Sequence, residues 1–184
     1  QFRLLSEAQR EEIYSAALEI LQRTGARVHS AGARDVFKKA GCWLDGDVVR
    51  FPIGLSEWAV RTAPSKIILY DRNGNKKLNL EGYHSHFGPG PTNTYHIDPI
   101  TEERRKPRIT DTENVGKMCE ALPNIDFVQD LGTPDDVTLT LADVHAFKAL
   151  VNNTTKPIVH WGFEVDQYGD IVELASVVAG GLES

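Results

Sequence analysis

Apolar residues recur at helical spacing from the start of the chain. Ile13, Ala16, Ala17, Ile20 and Leu21 follow a helix-start signal at Ser6, Glu7 and Gln9, and Gly25 supplies the stop. Ser30 caps a second predicted helix with Val36, Phe37 and Ala40 on one side, ended by Gly41. The pattern then shortens to a hairpin, Cys42-Trp43-Leu44 and Val48-Val49-Arg50-Phe51, turned by Asp45-Gly46-Asp47. Pro52 opens a third helix carrying Leu55, Trp58, Ala59 and Val60, which closes before Pro64. Residues 1–63 therefore read as a helical extension with a small β-ribbon.

Beyond Pro64 the character changes. Lys66 to Tyr70 predicts a strand, Asn73-Gly74-Asn75 a turn, and Lys77 to Leu80 the returning strand. Gly88-Pro89-Gly90-Pro91 breaks regular structure, and a long polar loop is expected up to Pro107. From Asp111 a regular alternation begins. A helix (Val115, Met118, Cys119, Leu122) leads to a strand over 125–130, and a helix (Leu141, Val144, Phe147, Leu150) to a strand over 157–161. A final helix carries Ile171, Val172, Leu174, Ala175 and Val178. Each strand–helix step takes about 30 residues, as in a βαβ unit, which predicts a parallel sheet. No Gly-x-Gly-x-x-Gly follows a strand and no Gly-Lys-Ser/Thr occurs, which speaks against dinucleotide-binding and P-loop folds. The expected fold is α/β, with residues 64–184 forming the first part of a TIM-type (βα)8 barrel. A possible opening strand near 83–88 and two clear parallel strands fall short of eight, so a truncated barrel is expected.

Composition narrows the function classes. The net charge is -6 and the one basic run, at 102–106, is sign-mixed, so no nucleic-acid partner is expected. No segment approaches the roughly 18 continuous apolar residues of a membrane span, and the N-terminus lacks the apolar core of a signal peptide. Cys42 and Cys119 show neither disulfide nor zinc spacing, and the expectation is a cytoplasmic, reducing location.

In parallel α/β folds, chemistry sits at the C-terminal ends of strands. Three segments qualify: 84–98, 129–134 and 160–164. His84 and His86 share one face of a strand and could form a metal pair, completed by His160 or Asp130, as in a metal-dependent barrel hydrolase. The plainer reading makes them loop histidines bonded to backbone or water, and no bound metal is expected. Phe87, Tyr95, Trp161 and Phe163 lie in or beside the same loops. Aromatic faces around a cavity suit a quaternary ammonium, although such rings equally fill barrel tops. Asp98 and Asp130 could each face a cation; Asp98, before Pro99, equally serves a turn, and Asp130 sits at a strand end.

The order of several short segments resembles the trimethylamine methyltransferase family. They include the Leu4-Leu5-Ser6-Glu7 helix start, Ala17-Leu18-Glu19-Ile20-Leu21, Phe37-Lys38-Lys39-Ala40-Gly41 and Val49-Arg50-Phe51-Pro52. Tyr70-Asp71-Arg72, Phe87-Gly88-Pro89-Gly90, Asp98, Arg104-Arg105, Thr110-Asp111 and Leu122 to Phe127 continue the order over nearly the whole chain. The resemblance implies a barrel more than twice this length, of which this chain is the N-terminal part. It also implies methyl transfer from a methylated amine to the Co(I) of a corrinoid (cobalamin) carried by a cognate partner protein. A quaternary amine such as glycine betaine, handled without pyrrolysine, is the favoured substrate. On that reading Phe87, Tyr95, Trp161 and Phe163 cage the cation, and His96 and His160 are candidates to meet a betaine carboxylate. Asp98 and Asp130 complete the candidate substrate-binding set, and a homo-oligomer is expected of the full-length protein. A binding-only betaine relative is the non-enzymatic alternative.

Overall fold

The computed structural model describes residues 3–163 and 165–181, and the chain divides into two units, Gln1–Pro64 and Ser65–Ser184. In the first unit, helix α1 spans Glu7–Arg23. Its start is fixed by a reciprocal capping box, in which the Ser6 hydroxyl accepts from the Gln9 N–H and the Gln9 side chain accepts from the Ser6 N–H. At its end Gly25 takes φ +77°, and a Cβ there would lie 2.3 Å from the Val49 carbonyl oxygen, so both the conformation and the close approach require glycine. Helix α2 (Ala31–Lys39) is capped by Ser30, and helix α3 (Ile53–Thr62) begins directly after Pro52.

The expected ribbon is present as strands β2 (Trp43–Asp45) and β3 (Val48–Arg50). A third strand joins it: β1 (Ala26–Arg27) pairs antiparallel with β3, giving the order β1-β3-β2. Two residues with no apolar pattern could not announce this strand, because their pairing with Val48 and Val49 comes from distant sequence.

In the second unit, strands β4 (Ile67–Tyr70) and β5 (Lys76–Leu80) form the expected hairpin. Asp71 organises its turn by accepting from the backbone N–H groups of Asn73 and Asn75. The expected polar loop contains a second, unexpected hairpin, β6 (His96–Ile97) with β7 (Arg104–Arg105). Its turn is set by Asp98, whose Oδ1 accepts from the N–H groups of Ile100 and Thr101. Helices α4 (Ile109–Ala121), α5 (Ala142–Asn153) and α6 (Tyr168–Ala179) follow.

The two strands expected at 125–130 and 157–161 are reduced to a single parallel bridge, Val128 with Ile158. Val128 donates to the Pro157 carbonyl and Val159 donates to the Val128 carbonyl. On the other side of 126–131 runs the segment 87–93 in the same direction, joined by Asp126 N–H to Phe87 O and Asn93 N–H to Leu131 O. Pro89, Pro91 and Pro157 have no N–H to donate, which is why these three extended segments touch in parallel without forming a continuous ladder. The architecture is mixed α/β with a short parallel layer. Val128 of that layer forms the core with Val115, Cys119 and Leu150, and Ile125, Leu131 and Ile158 pack against it. No described helix is long and apolar enough to cross a membrane.

Candidate functional site

Asp130 and His160 stand near the C-terminal ends of the neighbouring segments that meet at Val128 and Ile158, and this register brings them together. The Asp130 side chain is 6% exposed and that of His160 8%, with Oδ1 and Nδ1 3.8 Å apart. That separation is too long for a hydrogen bond. Asp130 Oδ1 and both His160 ring nitrogens are buried without a hydrogen-bond partner. Burial pushes the Asp130 carboxyl up to about 6, against the pull of its own backbone N–H, and the Asp143 carboxylate adds to the rise. Burial also lowers the His160 imidazole below its ordinary value, although the Asp143 charge opposes this. The cluster therefore carries acidic groups beside a neutral imidazole.

Aromatic rings border it. Phe147, on α5, lies 5.4 Å from the His160 ring at a 60° tilt. Trp161 and Phe163 meet edge to face at 6.4 Å, and both remain substantially exposed. Two polar side chains hold this wall. Asp143 Oδ2 accepts from the Phe163 N–H at 2.6 Å. Gln129 is buried between two other loops. Its amide, oriented by its neighbours, accepts from the Trp161 indole N–H at 3.1 Å and donates to the Pro89 carbonyl at 3.3 Å. Close approach of Asn93 to 131–132 depends on Gly132, where a Cβ would lie 2.1 Å from the Asn93 carbonyl oxygen.

The other expected residues make their contacts elsewhere. The Phe87 N–H donates to Asp126 Oδ2, its carbonyl accepts from the Asp126 N–H, and the residue is 67% exposed. The Tyr95 ring lies beneath the Arg104 guanidinium at 3.6 Å and beside the Lys106 ammonium at 4.8 Å, so its face already holds cations of the protein itself. His96 Nε2 lies 3.4 Å from Asp111, and Asp98 pairs with Arg105, which also pairs with Asp111. Backbone N–H groups of Thr101 and Ile100 hold the Asp98 carboxyl at about 2. His96 and Asp98 thus join an ion-pair network that ties β6–β7 to α4. His84 and His86 turn toward Asn79 and Asp126. Glu164, the last residue of the third expected segment, lies outside the described residues.

Asp143 was not among the residues expected at the site. The signal for it was an acidic residue three before Ala146 and seven before Leu150, on the face of α5 that is buried. Gln129 had no such signal, because its role depends on loops from three parts of the chain. A cavity of about 570 Å³ lies between the Asp71–Gly74 turn, Lys156–Ile158, α5 and α6, with Phe147 in its lining. Its cations are engaged: Arg72 donates to the Val151 carbonyl, and Lys156 to carbonyls at and beyond the end of α4.

Comparison with known proteins gives a consistent picture. The model of the family described as trimethylamine methyltransferase (MTTB) matches residues 1–184. The chain is 32% identical over 174 residues to the trimethylamine methyltransferase MttB of Desulfitobacterium hafniense (strain DSM 10664 / DCB-2), covering 92% of this chain and 34% of that protein. It is 31% identical over 175 residues to trimethylamine methyltransferase MttB2 of Methanosarcina mazei, covering 88% and 34%. With the glycine betaine methyltransferase of Desulfitobacterium hafniense (strain Y51) it shares 24% identity over 182 residues, covering 98% and 38%. The chain thus spans about a third of the length of the curated relatives it matches.

Proposed function

The chain belongs to the trimethylamine methyltransferase family, and from that premise we propose that it forms part of an enzyme that moves a methyl group from a methylated amine to the cobalt of a corrinoid protein. The observation that carries the reading is the buried Asp130–His160 pair, with Asp130 Oδ1 lacking a hydrogen-bond partner, beside the exposed Trp161 and Phe163. A methylated ammonium cannot satisfy its surroundings by donating several hydrogen bonds, so it is held by aromatic faces and a nearby carboxylate. Asp130 supplies that carboxylate, and Asp143 adds negative potential behind it. His160, kept neutral by burial, leaves this pole selective for the cation. A betaine's carboxylate would be met by residues outside this cluster, since His96 is committed to Asp111.

The corrinoid, when its carrier protein is docked, supplies Co(I) as the nucleophile. The cluster offers Asp, His, Gln and aromatic groups and no thiol, a donor set suited to holding a methyl donor for an external acceptor. The side chains here desolvate the cation, fix one methyl group outward and exclude water. The C–N bond then breaks with its electron pair retained by the departing amine, so no general acid is required of this chain when the substrate is quaternary.

The test uses the full-length protein with Co(I) cobalamin as acceptor and trimethylamine and glycine betaine as donors. Methylation of cobalt is expected with at least one of them. Trp161→Ala is expected to raise KM roughly tenfold, the scale of one desolvated cation–aromatic contact. Unchanged KM in that variant, or no methyl transfer from any methylated amine, would reject the reading.

A further inference from the structure

Gln129 joins the three loops around the cluster. Its Oε1 accepts from the Trp161 indole N–H at 3.1 Å, and its Nε2 donates to the Pro89 carbonyl at 3.3 Å. The opposite amide orientation would set NH2 against indole N–H and oxygen against oxygen, so the two neighbours dictate the assignment. The residue is only 6% exposed, next in sequence to Asp130 and one beyond Val128, which is fully buried. Its backbone is thereby fixed by the parallel bridge at Val128. Trp161, in contrast, is 49% exposed. That indole meets Phe163 edge to face at 6.4 Å, but Phe163 is itself 60% exposed, so the hydrogen bond to a buried amide provides the choice of rotamer.

We propose that Gln129 is the positioning residue of the cation wall: it sets the plane of the Trp161 ring and ties it to the Pro89 loop, so that the ring face meets the methylated ammonium without induced fit. The proposal rests on the amine-binding reading given above. Its physical content is preorganisation. Holding the ring before substrate arrives removes the ordering cost that binding would otherwise carry, and the benefit appears in substrate affinity.

A double-mutant cycle in the full-length enzyme tests it, with methyl transfer to Co(I) cobalamin measured at varied amine concentration. Gln129→Met keeps length and removes both hydrogen bonds. It is expected to raise KM about fivefold to tenfold with kcat changed less than about threefold, the pattern of lost binding rather than lost chemistry. Trp161→Phe keeps an aromatic face and removes the indole N–H. On that background Gln129→Met is expected to change KM by less than about twofold, because the interaction it removes is already gone. Equal effects of Gln129→Met in both backgrounds would show a general structural role and overturn the proposal, as would no KM change in the single variant.

A second measurement does not depend on any Gln129 variant folding. In the wild-type protein the indole N–H of Trp161, assigned by its loss in Trp161→Phe, is expected to exchange with deuterium at least about tenfold more slowly than a free indole. Fast exchange would overturn the proposal. Should Trp161→Ala leave KM unchanged, the amine-binding reading fails. Should Trp161→Ala weaken binding while the cycle shows no coupling, the positioning role alone fails.

Discussion

Asp130 is a carboxyl group with little water and an oxygen that lacks a partner, and its titration follows from that setting. It ionises at about 6 in the folded protein, against about 3.9 in an unfolded chain. A raised carboxyl value means the folded state holds the proton more tightly, so ionisation costs stability as pH climbs from about 4 to about 6, and acid removes that cost. Asp130→Asn in the full-length protein is therefore expected to be more stable than wild type at about pH 8 by roughly 2–3 kcal/mol, with the gap closing near about pH 4. Chemical denaturation at several pH values checks this. The same group gives an opposite trend in binding. For a permanently charged quaternary amine, wild-type KM is expected to fall as pH rises through about 6, while Asp130→Asn gives a high and flat profile. A wild-type KM independent of pH between about 5 and about 8 would remove Asp130 from cation binding.

Elements in the second unit are joined by crossed caps, and these account for how α4 and the segment after α5 hold the parallel layer. Lys156 Nζ donates to the carbonyls of Cys119, Leu122 and Ile125, at 2.6, 2.7 and 2.6 Å, where α4 ends and its dipole is negative. In return Glu120 accepts from the Thr154 hydroxyl and from the N–H and hydroxyl of Thr155. Burial works to raise the Glu120 carboxyl, but these hydrogen bonds hold it at about 2. Lys156→Met leaves carbonyls without their charged donor and is expected to lower stability by about 2–4 kcal/mol, read from thermal or denaturant unfolding. Local signals of this kind were legible in the sequence where they act over a few residues. Ser6, Ser30, Gly25 and Pro52 mark helix ends because a cap needs only its own turn. The parallel strands were legible from their apolar runs, but not their shortness, which comes from prolines in facing segments. β1 and the β6–β7 hairpin were not legible. One is a two-residue strand paired at a distance, and the other lies in a charged run ordered by Asp98. Asp130, His160, Trp161 and Phe163 could be placed together because strand ends in a parallel layer share one edge. Gln129 and Asp143 act through contacts between loops and a helix that no local pattern records.

At the scale of the whole molecule, the competing metal-hydrolase chemistry makes a different demand on the chain from methyl transfer. A His-x-His metal pair needs two imidazoles open on one side and further ligands converging on them. Here His84 Nδ1 lies 3.3 Å from the Asn79 side-chain amide, and His86 Nε2 lies 3.3 Å from both the backbone nitrogen and oxygen of Asn79. The other His86 nitrogen faces Asp126 at 3.8 Å, while His160 is drawn to Asp130 on a different segment. Among the described residues no group of three or more His, Cys, Asp or Glu gathers in a way that could hold a metal ion. These histidines brace the β5 end against the 126 segment, and bracing needs no ion. Methyl transfer, in turn, needs only a desolvated ammonium presented to an external nucleophile. Exhaustive treatment of the full-length protein with a chelator is therefore expected to leave methyl transfer to Co(I) cobalamin unchanged, and His84→Ala to alter stability more than KM. Loss of activity on chelation, restored by stoichiometric zinc and abolished by His84→Ala or His86→Ala, would instead make these two residues ligands and place the chemistry at the 84–86 loop.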